Sequence, residues 1–186
     1  MTDHVLLLRG INVGGKNKIK MAELRAVLER EEFDGVRTYI QSGNILVRSD
    51  LGSEAVSTYV EQLLVDNFAL DSTLVRVLAL TGTELRHVAG RAPDRFGVDT
   101  DTYRYDVIFC LDRNAEEVFE QTPMRPGIDS AWEGPGVVYY RHPSTSNPSA
   151  GKSHFSKIVG QPVYRSLTIR NWKTTSKLME MLGPGG

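Results

Sequence analysis

The sequence predicts an α+β protein made of two halves, each with an antiparallel sheet and its own helices. Residues 5–80 follow the order strand, helix, strand, strand, helix, strand. The residues after 81 follow the same order, with further helices at each end, and one helical stripe is very regular. This order is the split β-α-β arrangement of ferredoxin-like folds. We therefore expect a ferredoxin-like half at residues 1–82 and a second α+β half at 83–186, together forming one domain.

The first half is predicted from apolar periodicity and turn residues. Ser42-Gly43-Asn44 predicts a tight turn, and Ser53 predicts the N-cap of a helix. That helix carries a stripe at helical spacing, formed by Val56, Tyr59, Val60, Leu63, Leu64 and Phe68. The predicted elements are strands at 5–8, 36–41, 45–48 and 73–80, and helices at 20–32 and 53–68.

The second half is predicted from its capping residues and from one alternating strand. Thr81 and Glu84 have the spacing of a capping box, and Asn114 with Glu117 is a second helix start. Aromatic and polar residues alternate over 103–111, which indicates a strand. The remaining predicted elements are a hairpin at 128–133 and 137–141, a helix near 154–159, a strand at 163–169 and a terminal helix capped by Asn171 or Thr174.

Composition indicates an ordinary globular protein of a reducing compartment. The 186 residues are 40% hydrophobic and 24% charged, and Cys110 is the single cysteine, so no intramolecular disulfide can form. No apolar run approaches the ~20 residues of a membrane span. The four histidines lack metal-ligand spacing, and Cys110 lies in an apolar strand. We expect a cytoplasmic protein with no membrane partner, no metal and no cofactor.

Charge is distributed unevenly, although the net charge is only −1. All seven lysines lie in two segments, 16–20 and 152–177, and residues 134–179 contain no acid. If the two segments meet in space, they form one positive face on a nearly neutral protein. The alternative is that the clustering is accidental.

The strongest candidate site is the segment from Arg9 to Lys20, called the opening loop below. Gly10, Gly14 and Gly15 permit positive φ, and four cations accompany them without an acid. Residues 10–17 nearly match the phosphate-loop pattern, but Asn17 replaces the Ser or Thr that binds Mg²⁺. We therefore expect an anion site without Mg²⁺ chemistry, or else a structural turn.

Three other segments are weighed against structural alternatives. Gln41-Ser42-Gly43-Asn44 contains the residues of a hairpin turn, although such a turn requires neither Gln nor Ser. Arg170-Asn171-Trp172 can clamp a base by stacking, or Trp172 can be core. The sequence around Lys152 and Ser153 resembles the end of a phosphate loop, but capping explains it better. Whether Lys152 and Ser153 join a site stays open.

The chain resembles the bacterial family known as domain of unknown function 1697. The matching segments are 6–17, 39–44, 138–140 and 168–174, which together span the chain. The resemblance implies an α+β fold of two ferredoxin-like parts and no established reaction. It implies a presumed ligand-binding set, without individual roles: Arg9, Gly10, Asn12, Gly14, Gly15, Lys16, Asn17, Lys18, Gln41, Ser42, Gly43, Asn44, Arg170, Asn171 and Trp172.

Three functions follow from these features. The first is binding of a phosphate-bearing ligand, either a nucleotide or a nucleic acid, through the opening loop and Arg170-Asn171-Trp172. The second is a metal-independent enzyme that uses Asn12, Lys16, Gln41 and Asn44 around a small polar substrate. The third is a structural or protein-interaction module. The sequence determines neither the oligomeric state nor whether the protein is an enzyme.

Overall fold

The computed structural model describes residues 1–31, 33–71 and 75–183. The chain forms two compact units, the first comprising Met1–Arg86 and the chain end from Leu178, and the second comprising His87–Lys177. The division at 82 remains a prediction. Within the described residues, no helix has both the length and the apolar character that crossing a membrane requires.

The first unit contains a four-stranded antiparallel sheet. Its elements are β1 (Thr2–Arg9), α1 (Met21–Arg30), β2 (Asp34–Tyr39), β3 (Asn44–Ser49), α2 (Ser53–Asn67) and β4 (Arg76–Thr81). The sheet order is β2-β3-β1-β4, and every neighbouring pair is antiparallel. The predicted strand–helix order is therefore present, and the ferredoxin-like label remains our interpretation of it.

The core of this unit lies between the sheet and the two helices. Leu6 and Leu8 of β1 are buried in one cluster with Leu24 and Leu28 of α1 and with the α2 stripe. In that stripe Val56, Val60, Leu63 and Leu64 are buried, and Tyr59 is partly buried against the cluster. The regular stripe thus predicted the buried face of α2 correctly.

Side chains of α2 also accept hydrogen bonds from backbone amides at the outer edge of the sheet. Glu61 Oε1 accepts a hydrogen bond from the Val77 amide at 2.8 Å, and Ser57 Oγ accepts one from the Ala79 amide at 3.0 Å. Both amides belong to β4, which has a neighbour on one side only. Polar groups of α2 therefore occupy backbone donors that an edge strand would otherwise offer to another chain.

The second unit contains another four-stranded antiparallel sheet, in the order β6-β7-β5-β8. Its elements are β5 (Tyr103–Cys110), α4 (Ala115–Gln121), β6 (Ser130–Gly134), β7 (Val137–Pro143) and β8 (Leu167–Asn171). Two further helices, α3 (Gly82–Gly90) and α5 (Trp172–Leu182), contribute residues to both units. The α+β class with two antiparallel sheets is confirmed.

Capping predictions were correct where the side chain and the backbone pair locally. Thr81 and Glu84 form a reciprocal capping box, in which each side chain accepts a hydrogen bond from the other residue's amide. Asn114 Oδ1 accepts from the Glu117 amide at 2.8 Å. Ser53 was wrong as an N-cap, because α2 begins at Ser53 itself, and Gly52 precedes it without a side-chain cap.

The segment before β8 differs from the prediction. Residues 154–159 form no α-helix, and the strand predicted from 163 begins at Leu167. Three 3-10 helices occupy this region instead, at Ala150–Lys152, Phe155–Gly160 and Pro162–Ser166. Gly151, Gly160 and Pro162 interrupt the segment too often for an α-helix to extend. Residues 32, 73 and 74, which belong to predicted elements of the first half, lie outside the described residues.

Shortening a buried side chain of α2 should destabilise the first unit. Leu64 is fully buried, so Leu64→Ala should lower the free energy of unfolding by about 2–5 kcal/mol. The adjacent Val65 is 60% exposed, and Val65→Ala should change it by no more than about 0.5 kcal/mol. Urea unfolding of both variants measures the difference. Equal effects would contradict the assigned buried face.

Acidification should also destabilise this unit through His4, which is 1% exposed in β1. Burial lowers the pKa of His4 below its ordinary 6.5, and the Leu51 backbone, Glu84 and Asp3 oppose the shift without reversing it. The unfolded chain therefore binds a proton that the native state resists. Stability should fall as the pH drops below about 6.5 and level off below the native pKa. In His4→Leu, urea unfolding at several pH values should lose this component, and an unchanged pH dependence would contradict it.

Candidate functional site

The opening loop is held in place by the side chain of Asn12. Its Nδ2 donates to the backbone oxygens of Ile19 at 2.9 Å and Gln41 at 2.8 Å, and its Oδ1 accepts from the Ile19 amide at 2.8 Å. Asn12 has a φ of 54°, a region that asparagine tolerates better than most residues. One amide side chain thus ties the start of the loop to its end and to the neighbouring turn.

Asn17 supports the loop in a second way. It is 2% exposed and has a φ of 46°. Its Nδ2 donates to Gly10 O at 2.7 Å, and its Oδ1 accepts from the Asp71 amide at 2.7 Å. In return, Asp71 Oδ2 accepts from the Asn17 amide at 2.6 Å. Both hydrogen-bonding ends of the Asn17 side chain therefore face the protein.

Between these anchors the loop projects a two-residue hairpin turn. The Lys16 amide donates to Val13 O at 3.1 Å, and the two central residues, Gly14 and Gly15, have φ of 59° and 78°. Positive φ at both positions is characteristic of a type I′ turn, which glycine forms readily. This pair thus has the positive φ expected of it, and both glycines are exposed. Within residues 1–31, 33–71 and 75–183, no acceptor pairs with either of their amides.

The cations of the loop differ in their surroundings. Lys16 and Lys18 are exposed, and no acidic partner is found for either in the described part of the chain. Lys20 pairs with Glu23 at 2.8 Å, and Arg9 is partly buried opposite Arg76. Two of the four cations are therefore open to an external anion beside the glycine turn.

The turn at residues 40–43 lies against the opening loop. Gly43 O accepts from the Leu8 amide at 2.8 Å, and a Cβ on Gly43 would lie 2.7 Å from Leu8 Cβ. Asn44 is fully buried, and its Nδ2 donates to Tyr39 O and Ser42 Oγ. Gln41 and Ser42 are exposed. The structure therefore brings 9–20 and 40–44 together, a proximity that the sequence left undetermined.

Arg170, Asn171 and Trp172 belong to the second unit and have internal contacts there. Arg170 is 8% exposed, and its guanidinium donates to Thr168 Oγ1 at 2.9 Å. Burial lowers the pKa of Arg170 to about 10, which still leaves it charged near neutral pH. Asn171 Oδ1 accepts from the Thr174 amide at 2.8 Å, so Asn171 is the predicted N-cap of α5. A site shared with the opening loop remains a prediction.

The segment around Lys152 is contacted by a buried carboxylate from an earlier part of the same unit. Asp129 is 8% exposed, and its Oδ2 accepts from the amides of Arg125 and His154, both at 2.9 Å. Burial opposes ionisation of Asp129, but the surrounding hydrogen bonds, among them those from the His154 and Arg125 amides, outweigh it and lower its pKa. In the segment that resembles a phosphate loop, the His154 amide therefore donates its hydrogen bond to a carboxylate of the protein itself.

Three charged contacts were missed by the sequence analysis. Asp71 anchors the opening loop from 54 residues away, and no local pattern relates it to Asn17. Asp106 Oδ2 lies 3.0 Å from His142 Nε2, because β5 and β7 pair in register. The Arg141 guanidinium lies 4.4 Å from the Tyr103 ring centroid. The β5 alternation indicated the strand, but its partner strand was needed to reveal these pairs.

Other reactive groups offer little chemistry at neutral pH. Burial, and secondarily the charge of Glu133, raise the pKa of Cys110 to about 12, so its thiol stays protonated. Among the residues that the structure describes, no three His, Cys, Asp or Glu side chains are grouped to hold a metal ion.

The fold and the opening loop define a class of protein. It is an α+β protein with two antiparallel sheets, in which a glycine turn flanked by lysines follows the first strand. A family model described as "Protein of unknown function (DUF1697)" matches residues 1–140, and the chain belongs to that family. A conserved bacterial protein from Streptococcus pneumoniae has a similar solved structure, with a TM-score of 0.81 and 29% sequence identity. The similarity covers 97% of this chain and 98% of that one. Comparison with the curated proteins gives no match.

Removing the Asn17 side chain should destabilise the protein. Asn17→Ala deletes the side-chain hydrogen bonds to Gly10 O and the Asp71 amide, and alanine tolerates a φ of 46° less well than asparagine, so we expect a loss of about 1–3 kcal/mol of unfolding free energy. Asn17→Gly keeps the backbone conformation accessible and should lose less. Lys18→Ala is the matched neighbour, with an expected change within about 0.5 kcal/mol. Urea unfolding compares the three, and equal stabilities would show that the side chain does not hold the loop.

Proposed function

We propose that the opening loop binds a phosphate-bearing ligand, and that the phosphate backbone of a nucleic acid fits it best. The observation that carries this proposal is the exposed Gly14-Gly15 turn, whose amides lack an acceptor in the described part of the chain, between Val13 and the open cation Lys16. Backbone amides and a lysine provide the donors and the charge that phosphate oxygens accept.

The hydrogen bonds that hold the two ends of the opening loop support a binding role. Asn12 and Asn17 fix the loop through their side chains, so a ligand would not need to order it. Ile40, on the adjoining turn, has a φ of 48° and is 52% exposed, a costly conformation for a β-branched residue. Strained residues of this kind concentrate at binding sites.

Exposure favours an extended ligand over an enclosed one. Val13 is 67% exposed, and Gly14, Gly15, Lys16 and Lys18 are exposed beside it. Such a tip can contact successive phosphates of a strand, and apolar Val13 and Ile40 can contact sugars or bases. A mononucleotide is the smaller ligand with the same chemistry. Location in the cytoplasm, where such ligands occur, remains a prediction.

The enzyme alternative has less support from the contacts. Both amide atoms of Asn12 bond to backbone, and Asn44 is fully buried with its Nδ2 donating to Tyr39 and Ser42. Of the four groups assigned to that role, Lys16 and Gln41 are exposed. We therefore favour binding over catalysis.

Charge removal at the loop should weaken nucleic-acid binding without destabilising the fold. Lys16→Ala should reduce the affinity for a fluorescently labelled single-stranded oligonucleotide, and it should lower the slope of log affinity against log salt by about 0.7 for a lost phosphate contact. Fluorescence anisotropy at about 50 and 200 mM salt measures both quantities. Arg25→Ala is the charge-matched control, because Arg25 lies on α1 and pairs with Glu29 at 2.7 Å.

Geometry is tested separately from charge by Gly15→Ala. The added Cβ meets nothing within 4 Å, so the substitution strains only the turn, by about 1–2 kcal/mol. It should weaken binding at unchanged charge. Absence of binding by the wild-type protein at low salt, or equal losses in Lys16→Ala and Arg25→Ala, would refute the proposal.

A further inference from the structure

A groove of about 740 Å³ lies in the second unit, apart from the residues of the opening loop. This volume is within the ~300–1,000 Å³ of small-molecule sites in proteins. The lining combines three aromatic side chains, of which Tyr103 and Trp172 are partly exposed and Tyr105 is buried, with cations and hydroxyl groups. The residues that carry the argument are Thr100, Asp101, Tyr103, Arg104, Trp172 and Lys173.

The two partly exposed rings, Tyr103 and Trp172, are held in place by neighbouring residues. Tyr103 contacts the Arg141 guanidinium at 4.4 Å from its ring centroid. Trp172 packs edge to face on Phe96 with centroids 5.2 Å apart, and it lies so close to Gly97 that a Cβ there would be 2.0 Å from Trp172 Cδ1. The two rings remain partly exposed in the groove. They therefore offer preoriented surfaces on which a planar group can stack.

The polar lining is positive overall. Arg104 is positioned by a 2.8 Å hydrogen bond from its Nη1 to Thr100 O, and its guanidinium carries a full charge. Lys173 is exposed, and the described residues provide it with no acidic partner. Asp101 is the one acid among the lining residues. The first turn of α5, which starts at Trp172, adds the positive end of a helix dipole.

We propose that this groove binds a small ligand that joins a planar aromatic ring to an anionic group, a class that includes the nucleoside monophosphates. The ring stacks on Tyr103 and Trp172, and the anion pairs with Lys173 and Arg104. Asp101 accepts a hydrogen bond from a ligand hydroxyl. This site shares no residue with the opening loop, so it goes beyond the function proposed above and does not rest on it.

The test is a titration of the full chain with adenosine monophosphate, in which isothermal titration calorimetry measures the affinity. Adenosine and inorganic phosphate are the partial probes, and each should bind much more weakly than the complete nucleotide. Lys173→Ala should weaken nucleotide binding about tenfold or more, because it removes a charge-assisted contact. Lys157→Ala is the matched control, since Lys157 is an exposed lysine of the same unit that does not line the groove. It should leave the affinity unchanged.

A second variant tests the stacking contact. Tyr103→Leu should weaken the nucleotide more than inorganic phosphate, and a thermal melt shows whether the variant is folded. If Tyr103→Leu is unfolded, a different measurement takes its place. In the Trp132→Phe variant, the nucleotide should quench the fluorescence of Trp172. No nucleotide binding at about 1 mM, or equal affinity for adenosine, would overturn the proposal.

Lys16→Ala distinguishes the two sites. If it weakens the nucleotide as much as Lys173→Ala does, or if Lys173→Ala has no effect, the groove is not the site. Oligonucleotide binding that depends on Lys16 but not on Lys173 would leave the function of the opening loop intact, whatever the result at the groove.

Discussion

The hydrogen bonds that Asn12 and Asn17 make to backbone groups are the interactions on which the opening loop depends. The segment between β1 and α1 lacks a continuous sheet or helix partner, and its amides and carbonyls must be satisfied locally. The two side chains bond to Gly10, Ile19, Gln41 and Asp71. Asparagine is suited to both tasks, because it bonds to backbone and tolerates positive φ. The exposed turn at 13–16 therefore rests on a fixed base.

Two lysine- and glycine-containing segments of the chain each receive a carboxylate from the protein itself. Asp71 accepts from the Asn17 amide, and Asp129 accepts from the His154 amide. Around Lys152, the carboxylate of Asp129 already accepts a hydrogen bond from one of the backbone donors, the His154 amide. In the opening loop Asp71 binds at the base, and the amides of Gly14 and Gly15 lie at the tip. The backbone donors without an acceptor in the described part of the chain are therefore at the tip.

Elements with strong local patterns could be predicted from the sequence, and those that depend on distant contacts could not. The α2 stripe and the alternation of β5 indicated their elements, and the Asn114 cap was correct, because its partner is three residues away. The 3-10 segments between 150 and 166 were missed, since local apolar spacing does not separate them from a short helix or strand.

The same distinction applies to the candidate site. Charge and glycine content located the opening loop, but the sequence could not show which polar residues face inward. Asn17 meets Asp71 across 54 residues, and Asn12 meets Gln41 across 29. Long-range hydrogen bonds of this kind leave no periodic signal. The groove in the second unit escaped the sequence analysis for a related reason, because Tyr103 and Trp172 come from β5 and α5 and only the sheet pairing brings their ends together.

The hydrogen bonds between α2 side chains and the amides of the edge strand β4 have a consequence for self-association. A fifth strand adding to β4 would need the amides of Val77 and Ala79, and these already bond to Glu61 and Ser57. An incoming chain would have to displace a charged side chain and a hydroxyl before its first ladder hydrogen bond formed. The contacts of Glu61 and Ser57 therefore disfavour association of two molecules through the β4 edge.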